Sequence, residues 1–263
     1  MLALIAGTGA LPSEIISHAA SRPLVCALDG IAPEETPDIV FRLEHLGSFL
    51  GQLKSLGVTQ IAMAGGVTRP AIDPSQIDDA TKPLVPIILG AIASGDDGAL
   101  RAVMAIFEAQ GFEVIAAHQL LPHLVAQVGV MTQTRPTPFD AQAAFQTLHD
   151  MGQADVGQSC ILSGATVLAK ETQDGTDAMI GRFEASDHRS NAILFKGPKP
   201  NQDLRADLPV IGPDTAKAVV SAGLSGIVVV AGGVMILARD EVCDILDQAG
   251  AFLCAIAPAG ERP

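Results

Sequence analysis

The chain has 263 residues, 48% of them hydrophobic but only 3% aromatic, with neither Trp nor Tyr and a formal net charge of -13. That length buries a sizeable core in one large domain or two ordinary ones, and an aliphatic, Ala- and Gly-rich interior suits parallel sheets flanked by helices, an α/β fold. The acidic balance and the want of an aromatic stacking platform argue against a nucleic-acid partner.

Leu2 to Ala6 reads as an apolar strand running into Gly7-Thr8-Gly9-Ala10-Leu11-Pro12 and then a helix to about Ala20. A strand, a glycine turn and a helix N-terminus make an anion site, because unpaired N–H groups and the helix dipole converge on the turn. The dinucleotide fingerprint is incomplete: Pro12 stands at the third glycine position, although Asp29 follows a second strand, Leu24 to Leu28, where a ribose-binding acid would sit. A merely structural tight turn is the competing reading. Leu43 to Leu46 is expected to end a third strand, with a helix from about Ser48 to Leu56. Val58 to Ala64 is a buried strand ending in Gly65-Gly66-Val67-Thr68-Arg69-Pro70, so glycines again stand where open α/β sheets bind ligands, with Arg69 in reach of a phosphate. Gly95-Asp96-Asp97-Gly98 predicts the N-cap of a helix to Gln110, with Asp96 and Asp97 as caps or as cleft-facing carboxylates. Phe112 to Ala116 completes this half as a strand.

Breakers between Leu121 and Pro138 mark a short linker, which divides the chain into domains 1–128 and 136–263. A helix from Asp140 to Met151 and strands within Ser159 to Lys170 open the second half. Gln173-Asp174-Gly175-Thr176-Asp177 then precedes a helix from about Ala178; Thr176 or Asp177 caps it, or the turn cradles a phosphate. After the strand Ile193 to Phe195 comes the most charged stretch, Lys196 to Gly212. Five of the sixteen Lys and Arg residues (Arg182, Arg189, Lys196, Lys199, Arg205) fall in and just before it. Pro198 and Pro200 hold this stretch extended, which sets Asp203 and Asp207 on one face. Cations with a carboxylate to bind metal or orient water fit a polyanionic ligand, and a solvated loop of internal salt bridges is the bland alternative. A helix from Pro213 to Ala222, a hairpin of Ile227–Val230 and Val234–Leu237, a helix from Arg239 to Gln248 and a strand ending near Ala257 finish the chain. Ala218 to Ala238 carries no charge over a bilayer-spanning length, but its four glycines favour a helix, a turn and the hairpin. The N-terminus shows no secretory pattern, and Cys26, Cys160, Cys243 and Cys254, without CxxC spacing, read as reduced thiols of a cytoplasmic protein. The six histidines form no close metal pair, and neither a P-loop nor a GxSxG elbow occurs.

Six motifs in combination carry a resemblance: Gly7-x-Gly9-x-Leu11-Pro12, Gly65-x-Val67-x-Arg69-Pro70, Gly95-Asp96-Asp97, Gln173-x-Gly175-Thr176-Asp177, Lys196-x-Pro198-Lys199-Pro200-x-Gln202-Asp203 and Arg205-x-Asp207-Leu208-Pro209-x-Ile211-Gly212. Over nearly its whole length the chain resembles the LpxI-type UDP-2,3-diacylglucosamine pyrophosphatases of lipid A biosynthesis in Gram-negative bacteria. The resemblance implies two α/β domains joined by a linker, the N-terminal one Rossmann-like with a mostly parallel sheet. It implies Mg²⁺, or Mn²⁺, as cofactor and hydrolysis of the substrate diphosphate at the sugar-side phosphorus, releasing UMP and 2,3-diacylglucosamine 1-phosphate. Asp207 matches the key aspartate and a metal ligand, with Asp203 and Lys199 beside it. Substrate contacts are expected from Gly7, Thr8, Gly9, Ala10, Gly65, Gly66, Val67, Arg69, Asp96, Asp97, Gln173, Gly175, Thr176, Asp177, Lys196, Lys199 and Arg205. Two departures stand out. Thr8 replaces a frequent third glycine, and Gly66 replaces a frequent Asn or Lys, which voids a side-chain role there. The expected partners are a lipid-linked UDP-sugar, the inner membrane by peripheral contact, and a second copy of the chain. An NAD(P)-dependent Rossmann oxidoreductase and a non-catalytic nucleotide-sugar-binding module are the alternatives.

Overall fold

The computed structural model describes residues 1–68, 72–92, 95–184, 191–200, 202–205 and 208–259, and within these it leaves out the side chains at 91, 92, 95–97 and 184. The chain divides into two compact units, Met1–Pro122 with Asp203–Asp207, and His123–Gln202 with Leu208–Pro263.

In the first unit the elements run β1 (Leu2–Ala6), α1 (Leu11–His18), β2 (Leu24–Leu28), β3 (Ile39–Phe41), α2 (Leu46–Ser55), β4 (Gln60–Ala64), α3 (Val85–Ile92), α4 (Gly95–Ala109), β5 (Glu113–Val114) and α5 (Ala117–Leu120). The sheet order is β3-β2-β1-β4-β5, and every pairing is parallel. The inner strands are runs of small and branched apolar residues because helices cover both faces of such a sheet. Ala3, Leu4, Val25, Cys26, Ala27, Ile61 and Ala62 are fully buried. The few aromatic residues are concentrated on one face, where Phe41 stacks on Phe49 at 4.0 Å beside Phe107 and Phe112. Chain order runs outward from β1 in both directions, so the topological switch point lies at the carboxyl ends of β1 and β4.

Two local expectations are corrected here. The third strand is Ile39–Phe41, and Leu43–His45 is a 3-10 turn. Its cause is Glu44, which turns inward to 3% exposure, accepts the Asp73 N–H at 2.9 Å and pairs with Arg42 at 3.2 Å, drawing the chain off the sheet. The fourth helix begins at Gly95, so Asp96 and Asp97 stand in its first turn and not at its cap.

Burial of Glu44 has a measurable consequence. The Asp73 N–H, more than any other partner, pushes its pKa down to about 2. Because the folded value lies below the unfolded one, the stabilisation is full above the ordinary carboxylate range and fades as pH falls from about 5 towards 2. Glu44→Gln is expected to cost about 1–3 kcal/mol at pH 7, and thermal melts should show the gap from wild type closing on acidification.

The second unit contains β6 (Gly129–Val130), α6 (Ala141–Gln153), β7 (Ser159–Ser163), β8 (Thr166–Lys170), α7 (Gly175–Glu184) and β9 (Ile193–Lys196). It continues with β10 (Val210–Ile211), α8 (Pro213–Ser221), β11 (Gly226–Val230), β12 (Met235–Ile236), α9 (Arg239–Gln248) and β13 (Phe252–Ile256). Its six-stranded sheet, β6-β13-β11-β9-β7-β8, is parallel across β13, β11 and β9 and antiparallel at both flanks. The Asp140 carboxylate caps α6 through the Ala143 N–H at 3.0 Å.

The expected hairpin of Ile227–Val230 with Val234–Leu237 does not form. β11 pairs in parallel with β9 and β13, while β12 pairs with β10 in a separate two-stranded sheet. Every residue of β11 is buried, as in a central parallel strand, and Gly232, at φ 71°, with Gly233 turns the chain away. Among the described residues no helix is long and apolar enough to cross a membrane. All four cysteines are free, and burial pushes the thiols of Cys26 and Cys160 up to about 12.

Candidate active site

In the first unit the two glycine turns at the switch point meet. Thr8 donates its N–H to the Gly66 carbonyl and Gly66 returns its own to Thr8, both at 2.9 Å, while the Thr8 hydroxyl adds a 3.2 Å bond to the Gly66 carbonyl. Gly7 donates to the Ala64 carbonyl at 2.7 Å. The approach is so close that a β-carbon on Gly7 would stand 2.7 Å from the Gly65 carbonyl carbon, and one on Gly65 would stand 2.6 Å from the Thr8 oxygen. Gly65 also sits at φ 92° and Gly9 at φ 89°, backbone that side chains rarely adopt. This clasp corrects the expectation that the whole turn offers its N–H groups to an anion, since those of Gly7, Thr8 and Gly66 are spent on backbone. Among the described residues the Gly9 and Ala10 N–H groups, which lead into α1, have no backbone acceptor. Thr8, Gly9, Ala10, Gly65, Gly66 and Val67 are all exposed at this rim.

In the second unit the carboxyl end of β9 delivers Lys196, a cation only 7% exposed. Its Nζ donates to Thr176 Oγ1 at 3.0 Å, Thr176 lies 3.2 Å from Ser159 Oγ, and Ser159 donates to Glu171 Oε2 at 2.7 Å. Glu171, 8% exposed, also accepts the Gln158 N–H at 3.0 Å. The lysine is held across β7 from a buried carboxylate, the arrangement that makes a buried charge tolerable. Of Gln173, Gly175, Thr176 and Asp177, Thr176 alone is buried; Gln173 and Asp177 are exposed. α7 begins at Gly175, three residues before Ala178, so neither Thr176 nor Asp177 is its cap.

The loop after Lys196 is seated on glycines. Pro198 packs on Gly233 with its Cδ 2.6 Å from where a β-carbon would be, and Pro200 packs on Gly152 in the same way. Lys199 donates to Asp155 at 2.6 Å, and the Gln202 side chain accepts the Lys199 N–H at 2.9 Å. The stretch does not stay extended to Asp207, as proline spacing suggests: Leu204 and Arg205 form a turn in which Asp203 Oδ1 accepts the Arg205 N–H at 3.0 Å. The Arg205 guanidinium grips Asp203 again at 3.0 and 2.8 Å and reaches Glu108 of α4 at 2.7 Å. Arg205 holds the Asp203 carboxyl below the usual range.

Lys196 and Thr176 are thus brought together, as are Asp203 and Arg205, while Lys199 is committed to Asp155. Arg69 and Asp207 lie outside the described residues, and so do the side chains of Asp96 and Asp97. Ser159, Glu171, Asp155 and Glu108 were not anticipated. The described carboxylates do not by themselves make a divalent-cation site: among the described residues no three His, Cys, Asp or Glu side chains converge, and Asp203 is taken by Arg205.

The fold and these two clusters define a class of two-domain α/β proteins that carry glycine turns and a buried lysine at the carboxyl ends of parallel strands. The model of the LpxI N-terminal domain matches residues 1–124, and that of the LpxI C-terminal domain matches residues 127–254. The chain is 34% identical over 278 aligned residues to the UDP-2,3-diacylglucosamine pyrophosphatase LpxI of Caulobacter vibrioides, covering 100% of this chain and 99% of that protein. The chain belongs to the LpxI family.

Proposed function

We propose that the protein hydrolyses the diphosphate of UDP-2,3-diacylglucosamine, releasing UMP and 2,3-diacylglucosamine 1-phosphate for lipid A biosynthesis. The observation that carries this reading is the end-to-end match, at 34% identity, to a relative named for that reaction. The geometry supports it. Lys196 is a cation fixed by buried partners, suited to neutralising charge that develops on a diphosphate without reorganising as the reaction proceeds. Gly9 and Ala10 N–H groups at the start of α1 suit a second anionic group. Asp207 is the proposed carboxylate for the attacking water. We also propose Mg²⁺ or Mn²⁺ as cofactor, with Asp207 among its ligands. Such an ion, when bound, supplies Lewis-acid charge to the phosphoryl oxygens. We further propose that the protein meets its acylated substrate by peripheral contact with the inner membrane, at the cytoplasmic face.

The test is UMP release from UDP-2,3-diacylglucosamine by the purified protein, with Mg²⁺, with Mn²⁺ and with excess EDTA. Turnover with either metal and loss of at least about 100-fold in EDTA are expected. Undiminished turnover in EDTA removes the metal from the proposal, and no UMP under any condition refutes the activity.

A further inference from the structure

We infer that Glu171 and Ser159, which lie behind Lys196, are positioning residues for it, acting through Thr176 in a hydrogen-bond chain with one possible direction. The inference rests on the reading of Lys196 as a cation for the substrate diphosphate. An ammonium only donates and an ionised carboxylate only accepts, so the two ends of the chain are fixed. Ser159 has one proton, and at 2.7 Å it goes to Glu171 Oε2. Ser159 Oγ is then the acceptor in its 3.2 Å contact with Thr176, whose proton is thereby spent. Thr176 Oγ1 presents a lone pair to Lys196 Nζ at 3.0 Å. The sequence of donors is Lys196 to Thr176 to Ser159 to Glu171.

Two consequences separate this arrangement from ordinary packing. Thr176 has no proton left for a phosphate, so it holds the lysine and does not itself donate to an anion, contrary to the direct substrate contact expected of it. The orientation of Lys196 also depends on a carboxylate two hydroxyls away. Every member is nearly or fully buried, with Ser159 at 0%, Lys196 at 7%, Glu171 at 8% and Thr176 at 9% exposure, so water does not replace a missing link. Glu171 is fixed in turn by the Gln158 N–H at 3.0 Å, and the Gly197 N–H binds the Gln158 carbonyl at 3.1 Å, which ties the residue after Lys196 to the same strand.

The experiment is a set of double-mutant cycles on kcat/KM for UMP release, with melting curves for every variant. Thr176→Val, which keeps the shape and removes the hydroxyl, should lower kcat/KM by about 10-fold or more, and Thr176→Ser should stay within about 3-fold of wild type. Glu171→Gln and Ser159→Ala should each show a loss comparable to that of Thr176→Val. In a Lys196→Ala background none of these substitutions should cost more than about 2-fold further, because their effect passes through the lysine. Losses that multiply in that background, or a Thr176→Ser protein as impaired as Thr176→Val, overturn the inference. If Glu171→Gln does not fold, the Thr176 pair and its cycle with Lys196→Ala decide the matter. If the wild-type protein releases no UMP, the proposed function has failed, and the cycles are read as the Kd for UDP by calorimetry. The same non-additivity is expected there, and its absence refutes the relay.

Discussion

Asp207→Ala is expected to leave a folded protein that still binds UDP but turns over about 1,000-fold more slowly or worse in a single-turnover assay at saturating substrate. Two carboxylates of the charged stretch compete for the chemical role, and the structure weakens the claim of the other. Both oxygens of Asp203 are engaged by Arg205, which holds the group in its ionised form as a poor base and a poor ligand. The nearby Lys199 is likewise occupied, by Asp155. The chain that follows Asp207 is anchored: Leu208 is 7% exposed and the Pro209 carbonyl accepts the Met235 N–H at 2.8 Å. Asp203→Ala should therefore lower the melting temperature, by freeing Arg205, more than it lowers the chemical step. A near-wild-type rate for Asp207→Ala, or an Asp203→Ala protein that is stable and inactive, would exchange the two assignments.

Gly65→Ala should cost about 3 kcal/mol or more, lowering the melting temperature of the protein by roughly 10 °C. Two penalties coincide at this one position. At φ 92° an L-residue is strained, and its β-carbon would press on the Thr8 carbonyl oxygen that accepts the Gly66 N–H. Thr8→Ala is the control, since it removes the 3.2 Å hydroxyl bond and leaves both 2.9 Å backbone bonds of the clasp. It should shift melting by only a degree or two. Equal melting of Gly65→Ala and wild type would mean that the clasp adds little to the fold.

What could be read in the sequence, and what could not, follows from how local each determinant is. β1, β2 and β4 are apolar runs closed by glycine or aspartate, and the strands lie within a residue or two of the expected positions. β3 has only three residues, and its end is set by Glu44 reaching Asp73, 29 residues away, which no window of sequence contains. The hairpin was inferred from adjacency, although Ile227-Val-Val-Val230 lacks the alternation of a strand with one wet face and so already carried the mark of a central parallel strand. In the site, Lys196 and Thr176 stood out because they belong to dense polar motifs. Ser159 and Glu171 did not, because one serine and one glutamate flanking apolar strands look like surface residues until β7 and β8 pair and bury them. The turn at Asp203 was hidden by the prolines before it: Pro198 and Pro200 govern their own neighbourhood, while the bend at Leu204 and Arg205 is made by the Asp203 side chain capping the backbone.

The excursion of Asp203–Asp207 into the first unit bears on the order in which the protein can be made. A ribosome delivers Met1–Pro122 first, and the five parallel strands lie wholly within that stretch. Glu108, however, meets Arg205 only after residues 123–202 have emerged. At about 5–20 residues per second, the nascent unit waits several seconds with that surface uncovered. The covalent path also leaves the second unit before the excursion and re-enters it afterwards, so a nick at the Pro122–His123 boundary parts the first unit from its Asp203–Asp207 segment, which stays on the second fragment. A gene split at that boundary would yield an N-terminal fragment lacking Arg205, which pairs with Glu108 of α4. Its rescue would have to come from the partner fragment in trans.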